Sequence, residues 1–422
     1  MSIIRSIRAY EILDSRGRPT VEAEVALSSG ITARASVPSG ASTGRHEAVE
    51  LRDGDASRFG GRGVLRAVAN VDGEIAARLT GLDARKREEI DAVLRQVDGT
   101  ADCARLGGNA VLAASVATAR AGALSAGIPL WQHLGGDVDG PLPRPMVNAL
   151  SGGLHAGRSV DLQDYLVIPI AAETFPAAIE QVARVLAALA DELSARGRTL
   201  LRADEGGFVA GGGNRDGLEL LVRAIESAGL RPGVDVAIGL DVAASHLVSA
   251  GGYGLAADDE VLSAAAWSAR LAGWTRDFPI VSVEDPFGED DWSPWPGFVA
   301  AVGEAVQVIG DDLICTQVDR LERAITARAA NAVLVKANQV GTLSEALTVA
   351  RRARAAGWRV VVSARSGETE DDWLADLALA AGPAQLKVGS LTQSERLAKY
   401  NHLLRESARR ADGGALLPWG VA

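Results

Sequence analysis

Three short apolar runs decide the fold: Ile280-Val-Ser-Val-Glu284, Val306-Gln-Val-Ile-Gly-Asp311 and Ala332-Val-Leu-Val-Lys336. Each run ends in a charged residue, and a helix-length amphipathic stretch separates one run from the next. This alternation is typical of strands in a parallel sheet covered by helices. It continues outside this segment with five more runs, which begin at Met146, Tyr165, Ala237, Val360 and Ala384. Eight strands within about 280 residues favour a closed βα barrel over an open sheet.

The first part of the chain has a different pattern. Residues 20–28, Thr-Val-Glu-Ala-Glu-Val-Ala-Leu-Ser, alternate with period two and predict a half-buried antiparallel strand. Segment 107–127 is rich in alanine with helical spacing, and a Gly- and Pro-rich stretch at 135–145 indicates a boundary. We therefore predict an α/β protein, with an N-terminal α+β capping domain over residues 1–138 and a C-terminal eight-stranded βα barrel over residues 139–422.

The composition argues against several classes of function. The net charge is −11 and the acidic residues are dispersed, so we expect neither nucleic acid nor a membrane surface as a partner. The chain has no apolar run of about 18 residues that could span a bilayer, and its first residues do not resemble a signal peptide. The two cysteines, Cys103 and Cys315, form no Cys-x-x-Cys motif. Together these features predict a cytoplasmic protein.

Three of the predicted strands end in a carboxylate. The residues are Asp241, Glu284 and Asp311. The carboxyl ends of the strands in a βα barrel meet at one mouth, where the active site is built. Three carboxylates at that mouth offer the hard oxygen ligands that Mg²⁺ prefers, and no His or Cys accompanies them at the spacing of a zinc site. The sequence therefore predicts a magnesium site.

The strands that follow end in the cations Lys336, Arg365 and Lys387. The chain has only four lysines against 39 arginines. A buried lysine can lose its proton, whereas arginine cannot, so each strand-end lysine is either a general base or a side chain that merely reaches out to solvent. A lysine that faces Mg²⁺ across a substrate carboxylate can remove the proton α to that carboxylate. Arg365 with Ser366 would suit a phosphate.

Eight stretches of this chain resemble one known family, enolase. The matching stretches are Ile12-Leu-Asp-Ser-Arg-Gly-Arg-Pro-Thr20, Val37-Pro-Ser-Gly-Ala-Ser-Thr-Gly44, Glu50-Leu-Arg-Asp-Gly-Asp55, Asp204-Glu-Gly-Gly-Phe208, Ser282-Val-Glu-Asp-Pro-Phe287, Gly310-Asp-Asp-Leu313, Arg365-Ser-Gly-Glu-Thr-Glu-Asp371 and Ser394-Glu-Arg-Leu-Ala-Lys-Tyr-Asn401. The resemblance covers nearly the whole chain. It implies a capped barrel, two Mg²⁺ ions per active site, a small phosphorylated carboxylate as substrate, and a homodimer or higher homo-oligomer.

The resemblance also implies a role for each matched residue. Asp241, Glu284 and Asp311 match the ligands of the first Mg²⁺. Ser42 matches a residue of a mobile loop that binds the second Mg²⁺ beside the substrate. Lys336 matches the base that abstracts the proton from C2 of the substrate.

Further matched residues hold the substrate or help the leaving group depart. Glu205 matches the acid that assists the leaving group, and Asp164 stands where the family has a glutamate that supports the same step. The remaining matches are Lys387 for the substrate carboxylate, Arg365 and Ser366 for the phosphate, Gln163 beside the acid, and His155 on a second closing loop.

Four residues depart from the enolase pattern. Ala364 replaces a histidine of the family, Asp164 a glutamate, Gln393 an arginine and His246 a glutamate. Ala364 can neither donate a hydrogen bond nor carry a charge. Asp164 is one methylene shorter than glutamate, which could move its carboxylate by roughly 1 Å and slow the reaction about 10²-fold. Hydroxide is a poor leaving group that needs an acid, so these changes indicate a different leaving group or a bulkier group on O2 of the substrate.

Three interpretations of the function remain. The departures favour a diverged enolase paralogue that makes carboxyphosphonoenolpyruvate, by transfer of a phosphonoformyl group from its CMP ester to a phosphoglycerate; a CMP-activated phosphonate would then be a second substrate. The first alternative is a housekeeping enolase, which converts 2-phosphoglycerate to phosphoenolpyruvate and water. The second is a non-catalytic enolase descendant that acts as a binding protein.

Overall fold

The computed structural model describes residues 1–40 and 44–420. Ser42, for which the sequence predicts a metal-binding role, lies outside the described residues. The strands are β1 Ile4–Leu13, β2 Pro19–Leu27, β3 Thr32–Ser36, β4 Arg144–Ser151, β5 Asp164–Ile168, β6 Phe208–Val209, β7 Ala237–Asp241, β8 Val248–Ser249, β9 Gly252–Leu255, β10 Glu260–Leu262, β11 Ile280–Glu284, β12 Gln307–Gly310, β13 Ala332–Val335, β14 Arg359–Ser363 and β15 Gln385–Gly389.

The α-helices are α1 Leu65–Asn70, α2 Ala76–Leu79, α3 Arg87–Asp98, α4 Gly108–Ala126, α5 Leu130–His133, α6 Phe175–Ala195, α7 Asn214–Ser227, α8 Ala264–Asp277, α9 Trp295–Val302, α10 Val318–Ala327, α11 Leu343–Ala355, α12 Trp373–Ala380 and α13 Ser394–Arg409. Among the described residues, none of these helices is both long enough and apolar enough to cross a membrane.

The N-terminal part of the chain packs one helix against a small sheet. Strands β1, β2 and β3 form an antiparallel sheet in that order, and α4 packs against β2 and β3. Helix α4 is rich in alanine and is buried on nearly all sides. Small side chains allow this close approach, and a helix that is apolar all round is expected to be buried. The predicted strand at residues 20–28 falls within β2 and its flanking turn.

The C-terminal part forms the predicted closed barrel. Eight strands pair in the order β4, β5, β7, β11, β12, β13, β14 and β15, and β15 pairs back to β4 to close the ring. The short strand β6 adds to the outside of β4. Side chains fill the interior of the barrel, among them Met146, Leu166, Ile309 and Leu334. The predicted fold class is confirmed, and the interior of the barrel is a packed core.

One strand of the barrel runs against the others. The prediction of a purely parallel sheet is wrong for β5, which is antiparallel to both β4 and β7. Only a short 3₁₀ helix, Gly153–Ala156, lies between β4 and β5. It is too short to return the chain to the opposite end of the barrel before β5 begins. The start of β5 therefore lies at the mouth, where Asp164 pairs in register with Asp241 at the end of β7.

A cluster of aromatic rings supports the segment that follows β11. Phe287 is fully buried, and its ring packs edge to face against three others at centroid distances of 6.0 Å to Tyr253, 6.0 Å to Trp295 and 5.7 Å to Phe298. Such pairs add to the stabilisation that burial of the rings already provides. Phe287 lies three residues after Glu284, so its packing also holds the end of β11 in place.

We expect Phe287→Ala to lower the free energy of unfolding by about 3–5 kcal/mol, because it leaves a cavity among three rings. Urea unfolding followed by tryptophan fluorescence measures this change, since Trp295 borders the cavity. The control is Phe59→Ala, at a ring that is 49 % exposed; its effect should stay within about 0.5 kcal/mol. Equal effects of the two substitutions would contradict the assigned packing.

Candidate active site

Two buried carboxylates share one lysine at the mouth of the barrel. Lys387 in β15 donates hydrogen bonds of 2.7 Å from Nζ to Asp241 Oδ2 and of 2.7 Å to Glu284 Oε2. All three side chains are at most 6 % exposed. Burial lowers the pKa of Lys387, but the charges of Asp241 and Glu284 outweigh burial and raise it well above the ordinary value. Lys387 is therefore a fixed cation in this arrangement.

The second lysine has its own carboxylate. Lys336 follows β13, and its Nζ contacts Asp311 Oδ2. The sequence predicts that burial would lower the pKa of this lysine enough for it to act as a base. The structure differs: burial does lower the pKa of Lys336, but the charge of Asp311 outweighs burial and raises it above its usual value. Lys336 is therefore a cation paired with Asp311 in this arrangement.

Two residues that the sequence analysis left without a role hold Asp311 in place. Asp285 has a φ of +41°, and its carboxylate accepts hydrogen bonds from the backbone amides of Asp311 (2.9 Å) and Asp312 (2.7 Å). Gln339 donates a hydrogen bond of 3.1 Å from Nε2 to Asp311 Oδ1. The motif Ser282-Val-Glu-Asp-Pro-Phe287 contained the signal for Asp285, but no sequence pattern connects Gln339 with Asp311.

His155, Asp164 and Glu205 form a buried group on one side of the mouth. His155 Nδ1 lies 2.9 Å from Asp164 Oδ2, and His155 Nε2 lies 3.7 Å from Glu205 Oε1. Ser151 Oγ donates a hydrogen bond of 2.6 Å to Asp164 Oδ1, and Asn148 Nδ2 donates one of 3.0 Å to Glu205 Oε2. Asp164 is fully buried, and each of its two carboxylate oxygens contacts one of these side chains, Oδ1 with Ser151 and Oδ2 with His155.

The proton of this group resides on the histidine. Burial lowers the pKa of His155, but the charges of Asp164 and Glu205 outweigh burial and raise it to about 9. Burial raises the pKa of Glu205, but His155 and the more distant cations Arg396 and Lys387 lower it to about 2. Glu205 is therefore ionised in this arrangement, although the resemblance implies an acid at this position.

Arg365 and Ser366 lie at the side of the mouth that faces the N-terminal sheet. Arg365 donates hydrogen bonds from Nη1 to Glu47 Oε2 (2.8 Å) and to Asn338 Oδ1 (2.9 Å). Arg16 Nη1 donates a hydrogen bond of 3.1 Å to Ser366 Oγ. The sequence analysis did not assign Glu47, Asn338 or Arg16 to the site. Glu47 and Arg16 lie in loops, and Asn338 lies in the three-residue 3₁₀ helix after β13, so periodicity gives no signal for any of them.

One cavity brings most of these residues together. It is lined by His155, Gln163, Glu205, Asp241, Lys336, Ser363, Ala364, Arg365, Ser366 and Lys387. Gln163 Nε2 donates a hydrogen bond of 3.2 Å to Asp241 Oδ2. Ala364 is 6 % exposed and forms part of the cavity wall.

The other two departures from the enolase pattern lie farther out. Gln393 has a φ of +68° and begins the turn into α13, where its Oε1 lies against Gly206. His246 is half-buried in the turn after β7. Burial lowers the pKa of His246, and the positive charge of Arg158 lowers it further.

The donor set at the mouth fits a divalent metal ion. The described residues contain three groups of acidic and histidine side chains with ligand atoms within 4.8 Å of one another, and two of the groups lie at the mouth: His155 with Asp164 and Glu205, and Asp285 with Asp311 and Asp312. The predicted ligands Asp241 and Glu284 are instead brought together by one cation, the ammonium of Lys387. Buried carboxylates that converge on a cation are the hard oxygen donors that Mg²⁺ prefers.

The fold and the site define a class of protein: a capped βα barrel with a charged constellation at the carboxyl ends of its strands, where barrel enzymes have their active sites. Two family models match the chain. The model described as "Enolase, N-terminal domain" matches residues 4–134, and the model described as "Enolase, C-terminal TIM barrel domain" matches residues 140–415. The chain belongs to the enolase family. The division at residue 138 stays a prediction.

We expect His155 to titrate at about 9, in histidine-labelled protein followed by ¹⁵N NMR. Glu205→Gln should lower this pKa, because the substitution removes a negative charge that stabilises the imidazolium while the burial that opposes it remains. Asp164→Asn should lower it further, because Asp164 is the nearer carboxylate. His402, which pairs with Asp372 outside this group, serves as the control: burial lowers its pKa, but Asp372 helps to raise it, and neither substitution should change that pKa. A titration of His155 near 6.5 in the unaltered protein would contradict the assigned group.

Proposed function

We propose that this chain is a Mg²⁺-dependent enzyme that removes the C2 proton of a phosphorylated three-carbon acid and eliminates a leaving group from C3. The observation that carries the proposal is the convergence of Lys336, Lys387 and Arg365 on one cavity, with buried carboxylates behind the two lysines. A bound metal ion supplies a positive charge that stabilises the negative charge developing on the substrate carboxylate.

Each residue of the cavity has a distinct task in this proposal. Asp241, Glu284 and Asp311 would hold the metal ion. Its positive charge would compensate Asp311 in place of Lys336, so that Lys336 could act as the base. Lys387 remains a cation and binds the substrate carboxylate. These assignments follow the enolase resemblance, and the contacts among the described residues support them.

A second set of residues faces the phosphate, which is also the leaving group of the reaction proposed below. Arg365 binds the phosphate as a bidentate donor, with Ser366 beside it. His155 is the protonated member of its group with Asp164 and Glu205, so it is the member of that group that can give up a proton.

We propose further that the substrate is not that of a housekeeping enolase. Ala364 supports this, because a methyl group in the cavity wall can neither move a proton nor bind a hydroxyl group. In the proposed reaction, O2 of 3-phosphoglycerate forms a bond to the phosphorus of a CMP-activated phosphonoformate. The bond from that phosphorus to CMP breaks, and the departing CMP takes its electron pair and the proton of the O2 hydroxyl group. Lys336 then takes the C2 proton, and phosphate leaves C3 with the electron pair of its C–O bond. The product is carboxyphosphonoenolpyruvate.

Mg²⁺ should raise the thermal midpoint of the protein, and Asp241→Asn should abolish this stabilisation, because it removes a charged ligand whose contacts converge at the mouth. Differential scanning calorimetry with and without Mg²⁺ measures the shift. Asp259→Asn is the matched control, since Asp259 is exposed and has a φ of +53° that asparagine also tolerates. An unchanged Mg²⁺ response in Asp241→Asn would argue against the metal site.

The reaction can be identified by ³¹P NMR. We expect the protein to convert 3-phosphoglycerate with the CMP-activated phosphonate to an enolpyruvate product, CMP and phosphate. Lys336→Ala should reduce this rate by about 10²–10⁴-fold, because the general base is lost. Lys86→Ala, at an exposed lysine in a pair with Glu89, should leave the rate unchanged.

The same assay tests the housekeeping alternative. Conversion of 2-phosphoglycerate to phosphoenolpyruvate at the rate of an ordinary enolase would overturn the paralogue proposal, and Ala364→His should then leave that rate unchanged or improved. If neither reaction occurs although Mg²⁺ stabilises the protein, the alternative of a non-catalytic binding protein gains support.

A further inference from the structure

Glu47 and Arg365 form a buried, two-pronged ion pair. Arg365 Nη1 donates to Glu47 Oε2 at 2.8 Å, and Arg365 Nη2 donates to Glu47 Oε1 at 3.2 Å. The side chain of Arg365 is 3 % exposed and that of Glu47 is 7 % exposed. A buried bidentate pair of this kind is strong, because little water competes with the carboxylate for the guanidinium.

Neighbouring donors hold the carboxylate of Glu47 in place. The backbone amide of Gly44 donates a hydrogen bond of 2.8 Å to Glu47 Oε1. Gln339 Nε2 lies 3.4 Å from the same oxygen and 3.1 Å from Asp311 Oδ1. Glu47 is thus connected directly to Arg365 and, through the side-chain amide of Gln339, to Asp311 at the mouth.

The charge of Arg365 is already balanced before an anion arrives. Burial lowers the pKa of its guanidinium, but the charge of Glu47 and its hydrogen bonds outweigh burial and raise it. A phosphate that binds Arg365 brings a second negative charge close to the first. The phosphate must therefore either share the guanidinium with Glu47 against their mutual repulsion or displace Glu47 from it.

We propose that Glu47 is a built-in competitor of the substrate phosphate at Arg365 and sets the affinity of this site for phosphate. The inference rests on the proposed function, in which Arg365 binds the phosphate. Glu47 would have two effects. It compensates the buried cation while no substrate is bound, and the repulsion between Glu47 and phosphate keeps phosphate from binding so tightly that its release becomes slow. Glu47 acts through Arg365 and is a positioning residue.

The test measures the affinity for inorganic phosphate at constant ionic strength in the presence of Mg²⁺, from the rise of the thermal midpoint with phosphate concentration. Glu47→Gln should bind phosphate about tenfold more tightly than the unaltered protein, because removal of the competing charge leaves a buried cation for phosphate to compensate. Without phosphate, the thermal midpoint of this variant should be lower. A purely structural role for Glu47 would also lower the midpoint, but it would not tighten phosphate binding.

The matched control is Glu50→Gln. Glu50 lies in the same segment and near enough to Arg365 for its charge to act on the guanidinium, but its carboxylate pairs with Arg52 at 2.5 Å. This substitution removes the same charge but leaves the ion pair between Glu47 and Arg365 intact, so phosphate affinity should change by less than about twofold.

A second variant, Asn338→Asp, should change the phosphate affinity in the opposite direction. It tests the inference even if Glu47→Gln does not fold. Asn338 Oδ1 already accepts a hydrogen bond of 2.9 Å from Arg365 Nη1, so Asn338→Asp places an additional carboxylate on the guanidinium. It should weaken phosphate binding by about threefold or more. Unchanged or tighter phosphate binding in Asn338→Asp overturns the inference, and so does unchanged or weaker binding in Glu47→Gln. Either result leaves the proposed function standing. If phosphate does not stabilise the unaltered protein or Glu47→Gln, the phosphate role of Arg365 fails, and the inference fails with it.

Discussion

The mouth of the barrel depends on the mutual compensation of buried charges. Asp241 and Glu284 are nearly inaccessible to water, and both accept a hydrogen bond from the one ammonium of Lys387. An isolated carboxylate in such a place would cost several kcal/mol, so removal of one partner from a buried pair is far more damaging than its net contribution suggests. The cations of the site therefore have a structural task before any substrate binds. A metal ion that binds these carboxylates must take the place of contacts that the lysines now make.

The reversal of one strand determines which groups share the cavity. Because β5 is antiparallel to its neighbours, its first residues lie at the carboxyl ends of the other strands. Asp164 thereby reaches His155 and holds it as an imidazolium beside Glu205. A parallel β5 would place Asp164 at the opposite end of the barrel. The loop between β4 and β5, which carries His155, is short enough to stay over the mouth.

Much of the site was predictable because strand ends in a barrel converge. Apolar periodicity located the strands, and the charged residues that follow them had to meet at one mouth. The supporting contacts were not predictable in this way. Glu47 reaches Arg365 from a loop more than 300 residues away in the sequence, and Gln339 reaches Asp311 from the turn after the next strand. Loop residues have no fixed period, so their partners depend on how the whole chain packs.

The sequence by itself determined the two-part architecture, the closed barrel and the family, because apolar runs and long ordered motifs are local properties of the chain. Only the tertiary structure decided the protonation of the site. The pKa of Lys336 is raised where burial alone would lower it, and Glu205 is ionised while His155 carries the proton. The physical reason is that a pKa in a buried site follows the distances between charges, and these distances exist only once the strands and loops are assembled.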